Sequence, residues 1–160
     1  MNIQQSTLKN GLRVLSQHMP ETHSVSLGVW VGAGARHEEE TQHGLAHLLE
    51  HMAFKGTEKR SALDIVHEVE SVGGDINAAT SLERTAYYIR VLKDDLPLAV
   101  DILSDIIINP VFQSEELSRE KGVILSEIGQ HNDTPDDVAF DLMRDMAFPH
   151  QSIGRNILGK

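Results

Sequence analysis

His43-Gly44-Leu45-Ala46-His47-Leu48-Leu49-Glu50-His51-Met52 contains the spacing His47-x-x-Glu50-His51, an inversion of the His-Glu-x-x-His helix that holds zinc. Read as a helix beginning at Thr41 or Gln42, the stretch puts His47 and His51 four residues apart on one face, where both imidazoles can reach one metal ion. Glu50 precedes His51 by one residue, about a third of a turn. Its carboxylate can therefore approach a water on that ion without ligating the ion. Two neutral imidazoles and a nearby base are what metal-assisted hydrolysis needs. The plainer alternative is an amphipathic core helix, in which Leu45, Leu48, Leu49 and Met52 form an apolar stripe whether or not metal binds.

The flanking sequence reads as strands, then helices, then strands and helices again. Ile3–Leu8 and Leu12–Ser16 flank Asn10-Gly11, a strong hairpin turn signal. Ser24–Val31 alternates, with Val25, Leu27, Val29 and Val31 on one face. A helix is predicted from Ser61 to Val72, with Ser61 as N-cap and Asp64 completing a capping box, ended by Gly73-Gly74. Asp75–Ser81 and Arg84–Leu92 read as strands. A third helix opens at Asp94 or Asp95, buries Leu96, Val100, Leu103, Ile106 and Ile107, and stops at Asn109-Pro110. A fourth runs from Ser114 to about His131, acidic in its first turn, and a fifth from Pro135 to Phe148. This order predicts an α+β fold, with helices packed on a largely antiparallel sheet.

Composition narrows the function classes. At 160 residues, 40% of them hydrophobic and 24% charged, the chain has the material for one domain with a substantial core. A net charge of −10 argues against nucleic acid or an anionic membrane as partner. The absence of cysteine excludes disulfides, thiolate metal sites and a cysteine nucleophile. Any zinc must be held by histidine and carboxylate. The opening Met-Asn-Ile-Gln-Gln has no targeting character, and the longest apolar run, Ile106–Ile108, is too short to span a bilayer, so the expected compartment is the cytoplasm. The ending Gly154-Arg155-Asn156-Ile157-Leu158-Gly159-Lys160 reads like a domain cut before its end.

A catalytic zinc takes three protein ligands and an open position. The fourth helix offers Glu120 and Glu127, seven residues apart and on one face. A solvated acidic stripe is the alternative, but Val123, Ile124 and Ile128 bracket Glu127 with apolar neighbours. His18, His23, His37, His67, His131 and His150 read as exposed side chains. His43 lies one turn before His47 and could approach the metal face. Tyr87 and Tyr88 read as sheet packing.

Several stretches together resemble the insulinase/pitrilysin metallopeptidases, and among them the bacterial members similar to the mitochondrial processing peptidase. They are His47-Leu-Leu-Glu50-His51 with Met52-Ala-Phe-Lys-Gly-Thr57; Gly73-Gly-Asp-Ile-Asn-Ala-Ala-Thr-Ser81 with Glu83, Thr85, Tyr87 and Tyr88; the Glu120/Glu127 pair; and Phe148 with Gly154-Arg155. The resemblance implies a zinc endopeptidase acting on peptides or unfolded segments, with one zinc per chain. It makes His47, His51 and Glu127 the ligands and Glu50 the general base. Glu120 becomes an acidic residue that steadies a ligand from behind, and Asn77 and Ala78 lie on the strand edge that holds the substrate backbone. It also implies that residues 1–160 are one N-terminal domain, itself incomplete, and that a second homologous half or subunit closes a chamber over the substrate. A non-catalytic subunit of such an assembly is the competing reading. The complete set of histidines and glutamates speaks against it.

Overall fold

The computed structural model describes residues 3–159, so Met1, Asn2 and Lys160, which entered the reading of the two ends, lie outside the described residues. Strands β1 (Ile3–Thr7) and β2 (Arg13–Gln17) form an antiparallel hairpin in which Thr7 faces Arg13. Gly11 turns it at φ 90°, where a residue without Cβ is at no disadvantage. Among the described residues the hairpin pairs only with itself, and it is exposed along its length.

The main sheet consists of β3 (Ser24–Val31), β4 (Asp75–Thr80) and β5 (Thr85–Leu92), all antiparallel, in the order β3-β5-β4. Its central strand alternates as a half-covered strand should: Thr85, Tyr87, Ile89 and Val91 are buried, while Tyr88, Arg90 and Leu92 are exposed. Val25, Leu27 and Val29 of β3 join the covered face, but Val31, expected there too, is exposed. The other face is open, with Trp30 63% exposed on it. The fold is α+β, as expected.

Five helices follow: α1 (Leu45–Ala53), α2 (Ala62–Ser71), α3 (Leu96–Ile108), α4 (Ser114–Asn132) and α5 (Pro135–Ala147). The capping box of α2 forms as its sequence predicts: Ser61 Oγ accepts the Asp64 N–H at 3.2 Å, and the Asp64 carboxylate accepts the Ser61 N–H at 3.0 Å. The core is a layer of Ile65 and Val69 from α2 and Ala99, Ile102, Leu103 and Ile106 from α3 against Tyr87, Ile89 and Val91 of β5.

The buried seam of α3 therefore differs from the expected one. Leu96 and Val100 face solvent, and Ala99, Ile102 and Asp105 take their place. Asp105 is admitted to the core by its partners. Its carboxylate accepts from Thr57 Oγ1 at 2.7 Å, from Arg60 Nη1 at 3.0 Å and from Asn109 Nδ2 at 3.0 Å. Arg60 also reaches Glu68 of α2 and Asp101 of α3. The loop after α1 is thus fastened to both core helices, which fixes the helix that carries the imidazoles.

The expected helical stretch from Thr41 is interrupted. Glu40–Gln42 forms a single 3-10 turn, and Gly44 at φ 94° reorients the chain before α1 begins at Leu45. Of the expected apolar stripe on α1, Met52 is buried and Leu48 half-buried, whereas Leu45 and Leu49 are exposed.

Candidate metal centre

Because α1 starts from a glycine, it has no side-chain cap of its own. Glu38, buried and upstream, supplies one: Oε2 accepts the Gly44 N–H at 2.9 Å and Oε1 the Ala46 N–H at 2.6 Å. A carboxylate at a helix N-terminus satisfies orphan amides and complements the macrodipole. Thr80 Oγ1 donates to the Ala46 carbonyl, which sets α1 beside β4. Nothing in the local spacing singled out Glu38, since its partners lie across an irregular loop.

One turn further on, the His47 and His51 rings lie 4.6 Å apart between centroids, inclined at 65°. Each Nε2 is 3.7 Å from Glu127 Oε2 on α4. Ligand atoms from these three residues all fall within 4.8 Å of one another, the only such group among the described residues. Glu127 Oε2, Glu50 Oε2 and His47 Nδ1 are buried with no hydrogen-bond partner among the described residues. A buried carboxylate oxygen without a partner is costly. When it faces two imidazole nitrogens, the donor set fits a zinc ion held by two histidines and one glutamate. Burial, and then the neighbouring His51, lower the pKa of His47, while Glu50, Glu127 and Glu38 oppose the shift. The net effect favours the neutral imidazole that a metal requires.

Glu127 was expected among apolar neighbours. Ile124 is buried and Ile128 half-buried, but Val123 is exposed, and the Glu127 side chain is itself 37% exposed. Glu120, two turns earlier on α4, is only 4% exposed. Glu120 Oε2 lies 2.9 Å from His51 Nδ1, and Oε1 lies 2.5 Å from Lys55 Nζ. Burial alone would raise the Glu120 pKa, yet the hydrogen bonds from Lys55 and His51 hold it below the ordinary carboxylate value.

Two clefts meet at Glu50. One of about 220 Å³ is lined by Glu50, His51, Phe54, Lys55, Asn77, Ala78 and Glu120. The other, about 340 Å³, is lined chiefly by His47, Glu50, Thr80, His131, Asp141 and Arg144. Both run along β4, whose outer edge has no neighbouring strand among the described residues. The Ala78 N–H donates to Asn77 Oδ1 at 2.8 Å. A larger cleft of about 380 Å³ between the start of α1 and α4 includes neither His47, His51 nor Glu50.

Tyr87 lies beneath this site, buried and 6.3 Å from Phe54 between ring centroids. Its hydroxyl is pushed up to about 12 by burial and by the Glu50 charge, so it stays protonated. Its packing role was expected; Tyr88 instead faces outward on the open face. His43 turns away from the metal face, with Nε2 2.9 Å from the Asn156 carbonyl. His131 is not the simple exposed residue the sequence suggests. It is half-buried, hydrogen-bonded through Nε2 to Asp141 at 2.7 Å, and Asp141 also takes a bond from Arg144.

The profile of the family described as Insulinase (Peptidase family M16) matches residues 13–160. The chain is 46% identical over 156 residues to the mitochondrial-processing peptidase subunit beta of Rattus norvegicus, covering 98% of this chain and 32% of that protein. It is 44% identical over 154 residues to an uncharacterized zinc protease of Mycobacterium tuberculosis (strain ATCC 25618 / H37Rv), covering 96% of this chain and 35% of that protein. The crystal structure of a protease from Helicobacter pylori superposes with a TM-score of 0.94 at 25% identity, over 99% of this chain and 39% of the other. The chain thus spans about a third of the length of the curated relatives it matches. On the profile match and the shared fold, the chain belongs to the insulinase family of peptidases, peptidase family M16.

Proposed function

We propose that this chain carries the metal-binding and catalytic part of a zinc-dependent endopeptidase that hydrolyses peptides or unfolded protein segments. The observation that carries the reading is the convergence of His47 Nε2 and His51 Nε2 on a partnerless Glu127 oxygen, with Glu50 on the same helix. His47, His51 and Glu127 would hold the zinc. When bound, zinc supplies Lewis acidity, which polarises a carbonyl and makes water easier to deprotonate.

Glu50 takes the proton from the attacking water and returns it to the leaving amine. Its partnerless Oε2 is available for that exchange. Glu120 fixes His51 by accepting at Nδ1, which leaves Nε2 for the metal. The extended substrate lies along the open edge of β4 at Asn77 and Ala78, as a strand added to the sheet. The two clefts on either side of Glu50 receive the residues flanking the cut bond. A second homologous half or subunit closes over this groove, in keeping with a relative that is named as one subunit of a processing peptidase.

The test is zinc content by elemental analysis of the purified protein and its His51→Ala variant, with cleavage of an unstructured peptide followed with and without chelator. About one zinc per chain, lost in the variant, and chelator-sensitive cleavage are expected. Cleavage that survives complete removal of zinc would sink the proposal.

A further inference from the structure

We propose that Lys55 is a positioning residue for the metal centre, locking α1 to α4 by holding the oxygen of Glu120 that His51 leaves free. The inference rests on the zinc reading above.

Lys55 follows the C-terminus of α1, where its N–H still bonds the Met52 carbonyl at 3.2 Å. It is four residues after His51 and just past the end of the helix, close enough for both side chains to reach α4. Both converge on one carboxylate of the neighbouring helix: His51 Nδ1 at 2.9 Å from Oε2, Lys55 Nζ at 2.5 Å from Oε1. A carboxylate held at one oxygen can still swing about its χ angles. One held at both oxygens, by the last turn of α1 and by the segment that leaves it, is fixed in direction, and α4 is fixed with it. Glu127 lies seven residues along α4 from Glu120, on the same face. Its approach to the two imidazoles therefore depends on the register that the clamp sets.

The burial of Glu120 adds weight. A carboxylate that is 4% exposed needs a partner for each oxygen. Without Lys55, Oε1 must find water or turn away, and turning disturbs the bond to His51. Lys55 itself is partly exposed, at 27% of its side chain, and lines the cleft beside Glu50 and Asn77. It can be replaced without opening the hydrophobic core, since it is not part of the apolar cluster under the sheet.

The experiment measures zinc affinity by competition with a chromogenic chelator, for the parent protein, Lys55→Met, Lys55→Arg and Glu120→Gln. It adds the visible absorption spectrum of each cobalt-substituted protein and the thermal midpoint of each metal-free protein. Loss of a partner behind a ligand typically weakens metal binding about 10- to 100-fold. Lys55→Met is expected to fall in that range, with an altered cobalt spectrum and a metal-free midpoint lowered by the loss of a partner to the buried carboxylate, but by less than the loss in zinc affinity. Lys55→Arg should recover most of the affinity. Adding Lys55→Met to Glu120→Gln should weaken binding less than it does in the parent, since the clamp is already open.

Parent-like affinity and spectrum in Lys55→Met, with zinc lost in His51→Ala, would overturn the inference and leave the zinc reading standing. Weakening matched by an equal destabilisation of the metal-free protein, and not rescued by arginine, would overturn it too. A parent protein that binds no zinc would overturn the reading beneath it, and this inference with it.

Discussion

Glu38 caps the helix that carries both imidazoles from eight residues upstream, with Oε1 accepting the Ala46 N–H at 2.6 Å. Gly44 supplies the left-handed turn but no side chain, so the first turn of α1 depends on this remote carboxylate. Glu38→Ala is expected to lower stability by about 2 kcal/mol, near the upper end for a lost cap because the amides are partly buried. Glu38→Gln keeps an acceptor oxygen and should lose about half of that. Urea unfolding of the metal-free protein measures both. A Glu38→Ala variant that unfolds at the parent midpoint would show that the cap is redundant.

The grouping of His47, His51 and Glu127 was legible in the sequence because the spacings are local to two helices. His47 and His51 sit one turn apart, and Glu120 and Glu127 two turns apart, so helical geometry alone presents each pair. What was not legible depends on contacts between distant segments. Glu38 and Lys55 act through partners 8 and 65 residues away. The seam of α3 was misplaced because Leu96-Pro-Leu-Ala-Val-Asp-Ile-Leu-Ser-Asp-Ile-Ile-Ile108 is apolar on almost every side, and periodicity cannot choose a face in such a run. The deciding feature is Asp105. It is buried only because Arg60 and Thr57 arrive from another loop, and a polar residue with remote partners looks like a solvent position in one dimension.

That buried carboxylate sets an acid limb of stability. Burial alone would raise the pKa of Asp105, but the bonds from Thr57, Asn109 and Arg60 outweigh it and hold the pKa below the ordinary value of 3.8. A depressed folded-state pKa contributes stability that is present above the unfolded value and lost as pH falls through the folded one. Asp105→Asn should therefore cost about 3 kcal/mol at pH 7, as expected for breaking a buried charge pair. Its stability should also fall less steeply than that of the parent between pH 5 and pH 2. Denaturant midpoints across that range read the slope. Parallel curves for parent and variant would refute the linkage.

The open edge of β4 predicts a separation of binding from chemistry. If a peptide adds to this edge, it displaces Asn77 Oδ1 from the Ala78 N–H, and Ala78→Pro removes that donor from the cleft that Ala78 shares with Glu50 and His51. One hydrogen bond of about 1 kcal/mol corresponds to a KM about fivefold higher. kcat should stay within about twofold for a substrate that spans the groove. Steady-state kinetics on an unstructured peptide distinguish the parameters. A fall in kcat with KM unchanged would place the edge outside the path of the substrate.

On the proposed reading, Glu50 separates holding the metal from using it. Its Oε2 is buried and partnerless, whereas His47, His51 and Glu127 group into a candidate ligand set without it. Glu50→Gln keeps the shape and removes the capacity to accept a proton. Zinc content should thus stay at the parent level while kcat drops by about 10²- to 10⁴-fold, the range for losing a general base. Glu127→Gln should do the reverse in part, weakening metal retention first, so that activity returns as zinc is raised. The two variants are told apart by dialysis against chelator followed by zinc titration. Turnover in Glu50→Gln that recovers with added zinc would make Glu50 a ligand rather than a base, and the assignment of roles along α1 would have to be redrawn.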